Sequence, residues 1–122
     1  MKIYIAHSKR IDYQNELYAP IRKHFTSPQY EIILPHEKDD SSSNTREFYK
    51  NIDVLIAECS DVATGLGIEL GWAYDDGKPI YVLSRAGSKI SGSLQSVTKH
   101  FYEYHSEQEM ISIIEEIIMK EM

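Results

Sequence analysis

Short runs of β-branched and aromatic residues recur along the chain, each followed by a longer stretch with apolar residues at helical spacing. This alternation constrains the fold more than any other feature. Ile3-Tyr4-Ile5-Ala6 reads as a first buried strand. Asp12 to Phe25 reads as a helix with Leu17, Ile21 and Phe25 on one face, kinked or split by Pro20. Glu31-Ile32-Ile33-Leu34 reads as a second strand stopped by Pro35, and residues 36–44 read as a polar loop. A short helix over Thr45 to Asn51 leads to the strand Asp53-Val54-Leu55-Ile56-Ala57. Thr64 to Asp76 reads as a helix closed by Gly77. Pro79 to Leu83 and Phe101 to Tyr104 complete five strands. Ser106 and Glu109 form a capping-box pattern before a last helix carrying Ile111, Ile114 and Ile118. A β-α-β-α order predicts a parallel sheet with helices on both faces.

At 122 residues the chain fits one domain, spanning 1–122. Hydrophobic residues at 42% and charged residues at 26% make a globular rather than a disordered balance. The only cysteine, Cys59, excludes an intrachain disulfide and a Cys-rich zinc site. The five histidines show no metal-ligand spacing, so neither a metal nor a cofactor is expected. No apolar run approaches the roughly 20 residues of a membrane span. The first residues lack the apolar core of a signal peptide, and a soluble, cytoplasmic protein is expected. Five of the six net negative charges fall between Tyr102 and Met122, where glutamates keep a helix face wet. No basic stripe exists for duplex nucleic acid, whereas residues 1–30 carry a local charge of +3 that suits a small anion.

In a parallel α/β sheet, ligands bind beyond the carboxyl ends of the strands, at the topological switch point. The segments falling there are His7 to Arg10, Pro35 to Glu37, Glu58 to Gly67 and Ser84 to Ser93. The most informative of them runs into Thr64-Gly65-Leu66-Gly67-Ile68-Glu69-Leu70-Gly71-Trp72. Two glycines opening a helix let a ligand approach the backbone and the helix N-terminal amides. Glu69 falls in the first turns, where the helix dipole favours an ionised carboxylate, a competent nucleophile at a sugar carbon. The dinucleotide-binding pattern fails, because Leu70 stands where its third glycine belongs. A plainer reading is that Gly65 and Gly67 serve tight helix-sheet packing and Glu69 is a helix-start glutamate.

The segment from Asp53 to Leu83 resembles the nucleoside 2-deoxyribosyltransferase superfamily, which includes the 2′-deoxynucleoside 5′-monophosphate N-glycosidases. The resemblance rests on Asp53-Val54-Leu55-Ile56-Ala57-Glu58, on Gly65-Leu66-Gly67-Ile68-Glu69-Leu70-Gly71 and on Gly77-Lys78-Pro79-Ile80. Ile3 to Ser8 resembles the family's first strand and loop, and Lys89 to Leu94 its late serine-bearing loop. It implies a three-layer α/β/α fold with a flavodoxin- or Rossmann-like five-stranded parallel sheet, paired as a homodimer. It implies Glu69 as the nucleophile that displaces a base from deoxyribose, with Tyr4 fixing that glutamate or the sugar. It offers Ser91 and Ser93 as phosphate or sugar contacts. The chain departs from the family pattern at Thr45, where an aspartate is usual. It departs again at Ala63, where the family has an aspartate or a serine.

These readings give a candidate site of Glu69 and Tyr4 with His7, Ser8, Arg10, His36, Ala63, Thr64, Gly65, Gly67, Ser91 and Ser93. His7, Ser8 and Arg10 are candidates to meet a phosphate or the base, and His36 to line the base pocket. Asp61, Glu58 and His36 stand as substitutes for the missing acid. The expected partner is a small nucleoside or nucleotide, hydrolysed or used as a sugar donor. The alternatives are a binding module without turnover, which Thr45 and Ala63 favour, and NAD cleavage of the kind found in TIR-type domains.

Overall fold

The computed structural model of the chain describes residues 1–38 and 46–122. Five strands form an all-parallel sheet in the order β2-β1-β3-β4-β5. They are β1 (Lys2–His7), β2 (Glu31–Ile33), β3 (Val54–Glu58), β4 (Ile80–Arg85) and β5 (Phe101–Tyr104). The order reverses between β1 and β3, so the switch point lies where those two strands end. In register there, His7 faces Glu58. At the opposite edge Asp53 locks the pair: its carboxylate accepts from the Lys2 amide at 2.7 Å and its own amide donates to the Lys2 carbonyl at 2.8 Å.

The pleat divides the strand residues between two cores. Ile3, Ile5, Val54, Ile56, Tyr81 and Leu83 pack on one face against α1 (Ala19–His24) and α4 (Glu107–Glu121). Tyr4, Ala6, Leu55, Ala57, Ile80 and Val82 pack on the other, under α2 (Arg46–Tyr49) and α3 (Thr64–Asp75). Both faces are covered, which is why the strands read as near-continuous apolar runs. The expected three-layer α/β/α architecture is the observed one.

Pro20 does not break the expected 12–25 helix: residues 13–24 are helical throughout, with a single π-helical turn over Gln14–Tyr18 that passes into α1 at Ala19, just before the proline that has no N–H to give. Gly77, at φ 70°, ends α3 in the left-handed conformation expected of its position. The Ser106 hydroxyl accepts from the Glu109 amide at 3.1 Å and caps α4. The Glu109 carboxylate reaches the His105 amide rather than Ser106, one residue beyond the expected box. The late loop carries a 3-10 turn over Gly92–Ser96, where the sequence predicts only a serine-bearing loop. Thr45, singled out from the sequence, lies outside the described residues. No helix among the described residues is long and apolar enough to cross a membrane.

Candidate active site

Helix α3 organises the site through the angular phase of its side chains. At about 100° per residue, Leu66, Leu70 and Ala73 form the stripe that faces the sheet. Gly65, Glu69 and Trp72 fall on one flank, and Gly67 and Gly71 on the other. The Trp72 ring lies against Tyr49 at 5.2 Å, so the Glu69 flank is the one facing α2 and β1. Arg46 fixes α2 in that position: its guanidinium bridges Asp76 at 2.6 and 2.8 Å and Asp75 at 3.0 Å, at the end of α3.

On this flank the phenols of Tyr49 and Tyr4 stand close enough to the Glu69 carboxyl to favour its charged form. Tyr4 is fully buried and Tyr49 is 1% exposed. Their hydroxyls stand 3.1 Å apart, with the rings edge to face at 5.1 Å. Glu69 Oε2 is buried without a hydrogen-bond partner among the described residues. Burial pushes the Glu69 carboxyl up to about 7, and the two phenols oppose that rise without cancelling it. A carboxyl poised there changes charge near neutral pH, as a side chain used in chemistry needs to.

Beyond the end of β1 lies a second cluster. Tyr18 accepts from the His36 amide at 3.0 Å and lies 2.6 Å from His7 Nε2. His7 Nδ1 lies 3.0 Å from the Ser8 carbonyl. A carbonyl only accepts, so Nδ1 carries the proton and Nε2 accepts from the Tyr18 hydroxyl. Burial lowers the His7 pKa and holds this tautomer neutral. Both ring nitrogens are therefore committed within the chain, and His7 shapes the cleft instead of offering a nitrogen to a phosphate. The His36 ring packs 5.6 Å from His7 and 5.8 Å from Tyr13. Glu69 adds to the electrostatic rise in the Tyr18 pKa, which ties the two clusters together.

At the switch point an open cleft of about 630 Å³ is lined by Ser8, Lys9, Arg10, Val62, Ala63 and Thr64. Ala63 begins α3 without any side-chain oxygen to cap it, so the helix's first amides stay available to an anion. Ser8 is buried and its hydroxyl accepts from the Arg10 amide at 3.0 Å. The Arg10 guanidinium is 72% exposed and stands 3.8 Å from Asp61.

Ser91 and Ser93 fall elsewhere. They line an apolar groove of about 340 Å³ on the far flank of α3, with Gly67, Gly71, Leu94 and Val97. The Ser91 hydroxyl accepts from the Ser93 amide at 3.3 Å and so caps the 3-10 turn. Within one chain neither serine joins Glu69. Nor does Glu58, which ends β3 on the opposite face of the sheet, bonded to Ser60 and Tyr104. The packing explanation for the glycines fails as well. A Cβ added at Gly65, Gly67 or Gly71 meets nothing within 4 Å. Buried Cys59, its thiol pushed up to about 12 by burial, is inert. No group of three or more metal-binding side chains occurs among the described residues.

The sequence reading missed Tyr49, Tyr13 and Tyr18. Tyr13 and Tyr18 lie in the segment read as one helix, and the π-turn is what brings Tyr18 onto His7. Tyr49 lies on an expected helix, but nothing local links it to a carboxyl far along the chain.

No protein-family model matches the sequence, and no curated protein sequence matches it significantly. Solved structures do. The structure of a CMP N-glycosidase from Clostridium botulinum, BcmB, superposes with a TM-score of 0.64 at 21% identity, over 94% of this chain and 99% of the other. A conserved protein from Enterococcus faecalis V583 superposes with a TM-score of 0.61 at 18% identity, over 96% and 98%. These likenesses show a shared fold.

Proposed function

We propose that the chain cleaves, or transfers the sugar of, an N-glycosidic bond in a small nucleoside or nucleotide, with Glu69 as nucleophile. The carrying observation is the Glu69 carboxyl itself, poised near neutral pH by burial, with Oε2 buried and without a partner among the described residues. Support comes from the fold shared with a CMP N-glycosidase and from the motif block around Gly65 to Gly71. In this reading the Glu69 carboxylate attacks the anomeric carbon as the bond to the base breaks. The base leaves with the bonding pair and takes a proton from solvent or a neighbouring donor. Water then attacks the same carbon and breaks the glycosyl ester, so that Glu69 returns as carboxylate. Tyr4 holds the nucleophile. Ser8, Arg10, Thr64 and the open amides at Ala63 and Gly65 take the phosphate or sugar, and His36 borders the base.

Ser91 and Ser93 lie on the far flank of α3, so in this reading they serve the site of a second copy in a homodimer. The second reading, a nucleotide-binding module without turnover, is favoured by the acids. Glu58 belongs to the other face of the sheet, and Asp61 pairs with Arg10, so neither stands beside Glu69 as a proton donor.

Incubation with deoxynucleosides, deoxynucleotides, their ribo counterparts and NAD, with free base followed by chromatography, separates the readings. The proposal expects release from a nucleoside or nucleotide that Glu69→Gln removes. The acid limb of its pH profile lies near 7, because the carboxylate form attacks. Release from NAD alone selects the TIR-like chemistry. Thermal stabilisation by nucleotide with no release selects the binding module.

A further inference from the structure

The π-turn over Gln14–Tyr18 sends alternate side chains to three strand ends at the carboxyl edge of the sheet. Gln14 Nε2 donates to the His36 carbonyl at 3.3 Å, beyond β2. Glu16 accepts from the Arg85 guanidinium at 2.8 Å, at the end of β4. The Tyr18 hydroxyl lies 2.6 Å from His7 Nε2, at the end of β1, and accepts from the His36 amide at 3.0 Å. The Ala19 amide bonds to the Gln14 carbonyl five residues back, and the extra residue in this turn sets the spacing of the three side chains. Single turns of this kind are frequent at functional sites.

Tyr18 is the node of the arrangement, and its one proton decides how. An amide N–H only donates, so toward His36 the phenol oxygen is the acceptor and its proton is left for His7 Nε2. His7 Nδ1–H in turn donates to the Ser8 carbonyl at 3.0 Å, and the Ser8 hydroxyl accepts from the Arg10 amide at 3.0 Å. The bonds thus run without a break from the π-turn into the segment Ser8–Arg10, which lines the open cleft. Tyr18, His7 and Ser8 are all buried, so their bonds are made in a medium of low dielectric. The His7 ring is held as well, stacked on Tyr13 at 4.7 Å and edge to face with Tyr18 at 5.2 Å.

We infer that Tyr18 is a positioning residue: by donating to His7 and accepting from His36 it holds the loops after β1 and β2 at a fixed spacing and presets the segment Ser8–Arg10 for a ligand. For its effect on affinity, the inference rests on the reading of those loops as ligand-binding; the relay of bonds itself does not.

The test is nitrogen-15 NMR of the imidazole rings at about pH 8, above the ordinary histidine range. His7 is assigned by its loss in His7→Ala. Tyr18→Phe keeps the ring and its packing and removes only the hydroxyl. Wild type is expected to show His7 as the Nδ1–H tautomer, with Nε2 displaced by the bond it accepts. In Tyr18→Phe the Nε2 signal should move toward that of an unbonded ring nitrogen, the Arg10 amide signal should shift, and the His36 amide should exchange about tenfold faster. For whichever of the four deoxynucleoside 5′-monophosphates wild type cleaves, KM of Tyr18→Phe should rise about fivefold with kcat nearly unchanged, because Glu69 is untouched. In a His7→Ala background Tyr18→Phe should add little, since it acts through His7. A wild-type His7 in the Nε2–H form overturns the inference. So does an Nε2 signal unmoved in Tyr18→Phe, or a KM equal to that of wild type. Ring and amide signals that move as expected while no nucleotide is cleaved keep the relay and remove the glycosidase reading instead.

Discussion

Two glutamates leave the surface of this chain in opposite ways. Glu58, 2% exposed at the end of β3, is surrounded by donors. The Ser60 amide reaches one oxygen at 2.7 Å, and the Ser60 and Tyr104 hydroxyls reach the other. Ser60 in turn accepts from the Arg85 amide at 2.8 Å, which ties β3 to β4. Glu69, one helix away, keeps Oε2 buried without a partner among the described residues, and only two phenols favour its charged form. A carboxyl with both oxygens engaged is architecture, because any ligand must first break bonds that the protein has made. One left half-satisfied costs stability and retains the capacity to react. Buried Glu58 and half-buried Glu69 are thus sorted into different jobs by their partners.

The largest effect expected of this contrast is on turnover. Glu69→Gln should lower base release by about a thousandfold or more, equivalent to roughly 4 kcal/mol of lost transition-state stabilisation. Release near the wild-type rate would erase the distinction. Next comes stability. Glu58→Ala strands three donors and should lower the unfolding free energy by about 3 kcal/mol in urea melts, through a network that Glu69 does not share.

Glu69→Gln should shift stability in the other direction. The folded pKa, about 7, lies above the ordinary carboxyl value of 4.5, so the native state binds more protons than the unfolded one between those values. Wild-type stability therefore falls as pH rises through that window. The variant should gain about 1–3 kcal/mol over wild type at pH 8, a gain that fades as the pH is brought down toward 4.5. A pH-independent difference would mean that the carboxyl is not strained by burial.

Tyr104→Phe, which removes one of three donors to Glu58, should cost about 1.5 kcal/mol. The smallest expected effect is that of Arg10→Ala. Its exposed pair with Asp61 contributes about 0.5 kcal/mol or less to stability, so the melt should hardly move. Binding of a phosphorylated nucleoside should weaken about tenfold relative to its unphosphorylated form if the cleft takes the phosphate.

What was legible in the sequence follows the same line between local and distant causes. Ile3 to Ala6, Asp53 to Ala57 and Pro79 to Leu83 announced buried parallel strands because strand character is written in neighbouring residues. Gly77 and Ser106 marked helix ends because caps are local chemistry. The polar segments did converge on one edge of the sheet, since chain order fixes that edge once the strands are parallel.

Which residues share a flank was harder to read. Glu69 and Gly67 are neighbours in the motif but lie on opposite sides of α3. The strand pleat likewise places Glu58 with Val54 and Ile56, away from Tyr4. Both phases were present in the numbering, and counting turns around α3 separates Gly67 and Gly71 from Glu69; that Ser91 and Ser93 pack on the glycine flank is a matter of how the late loop docks. Tyr49 had no such signal, because its link to Glu69 depends on how α2 docks through Arg46. His7 read as a ligand because a polar residue after a strand usually faces solvent, whereas Tyr18 turned it inward.

Gly67 and Gly71 sit inside α3 with open space where a Cβ would stand, and each costs that helix about 1 kcal/mol relative to alanine. Helix α4 has no glycine and buries Met110, Ile111, Ile113, Ile114, Ile117 and Ile118 along one side. The two helices should therefore differ in how readily they open. Backbone amides of α3 should exchange with deuterated solvent well before those of α4. A molecule seated across the beginning of α3 would slow that exchange along the helix, so that binding is registered as protection even where no bond is broken.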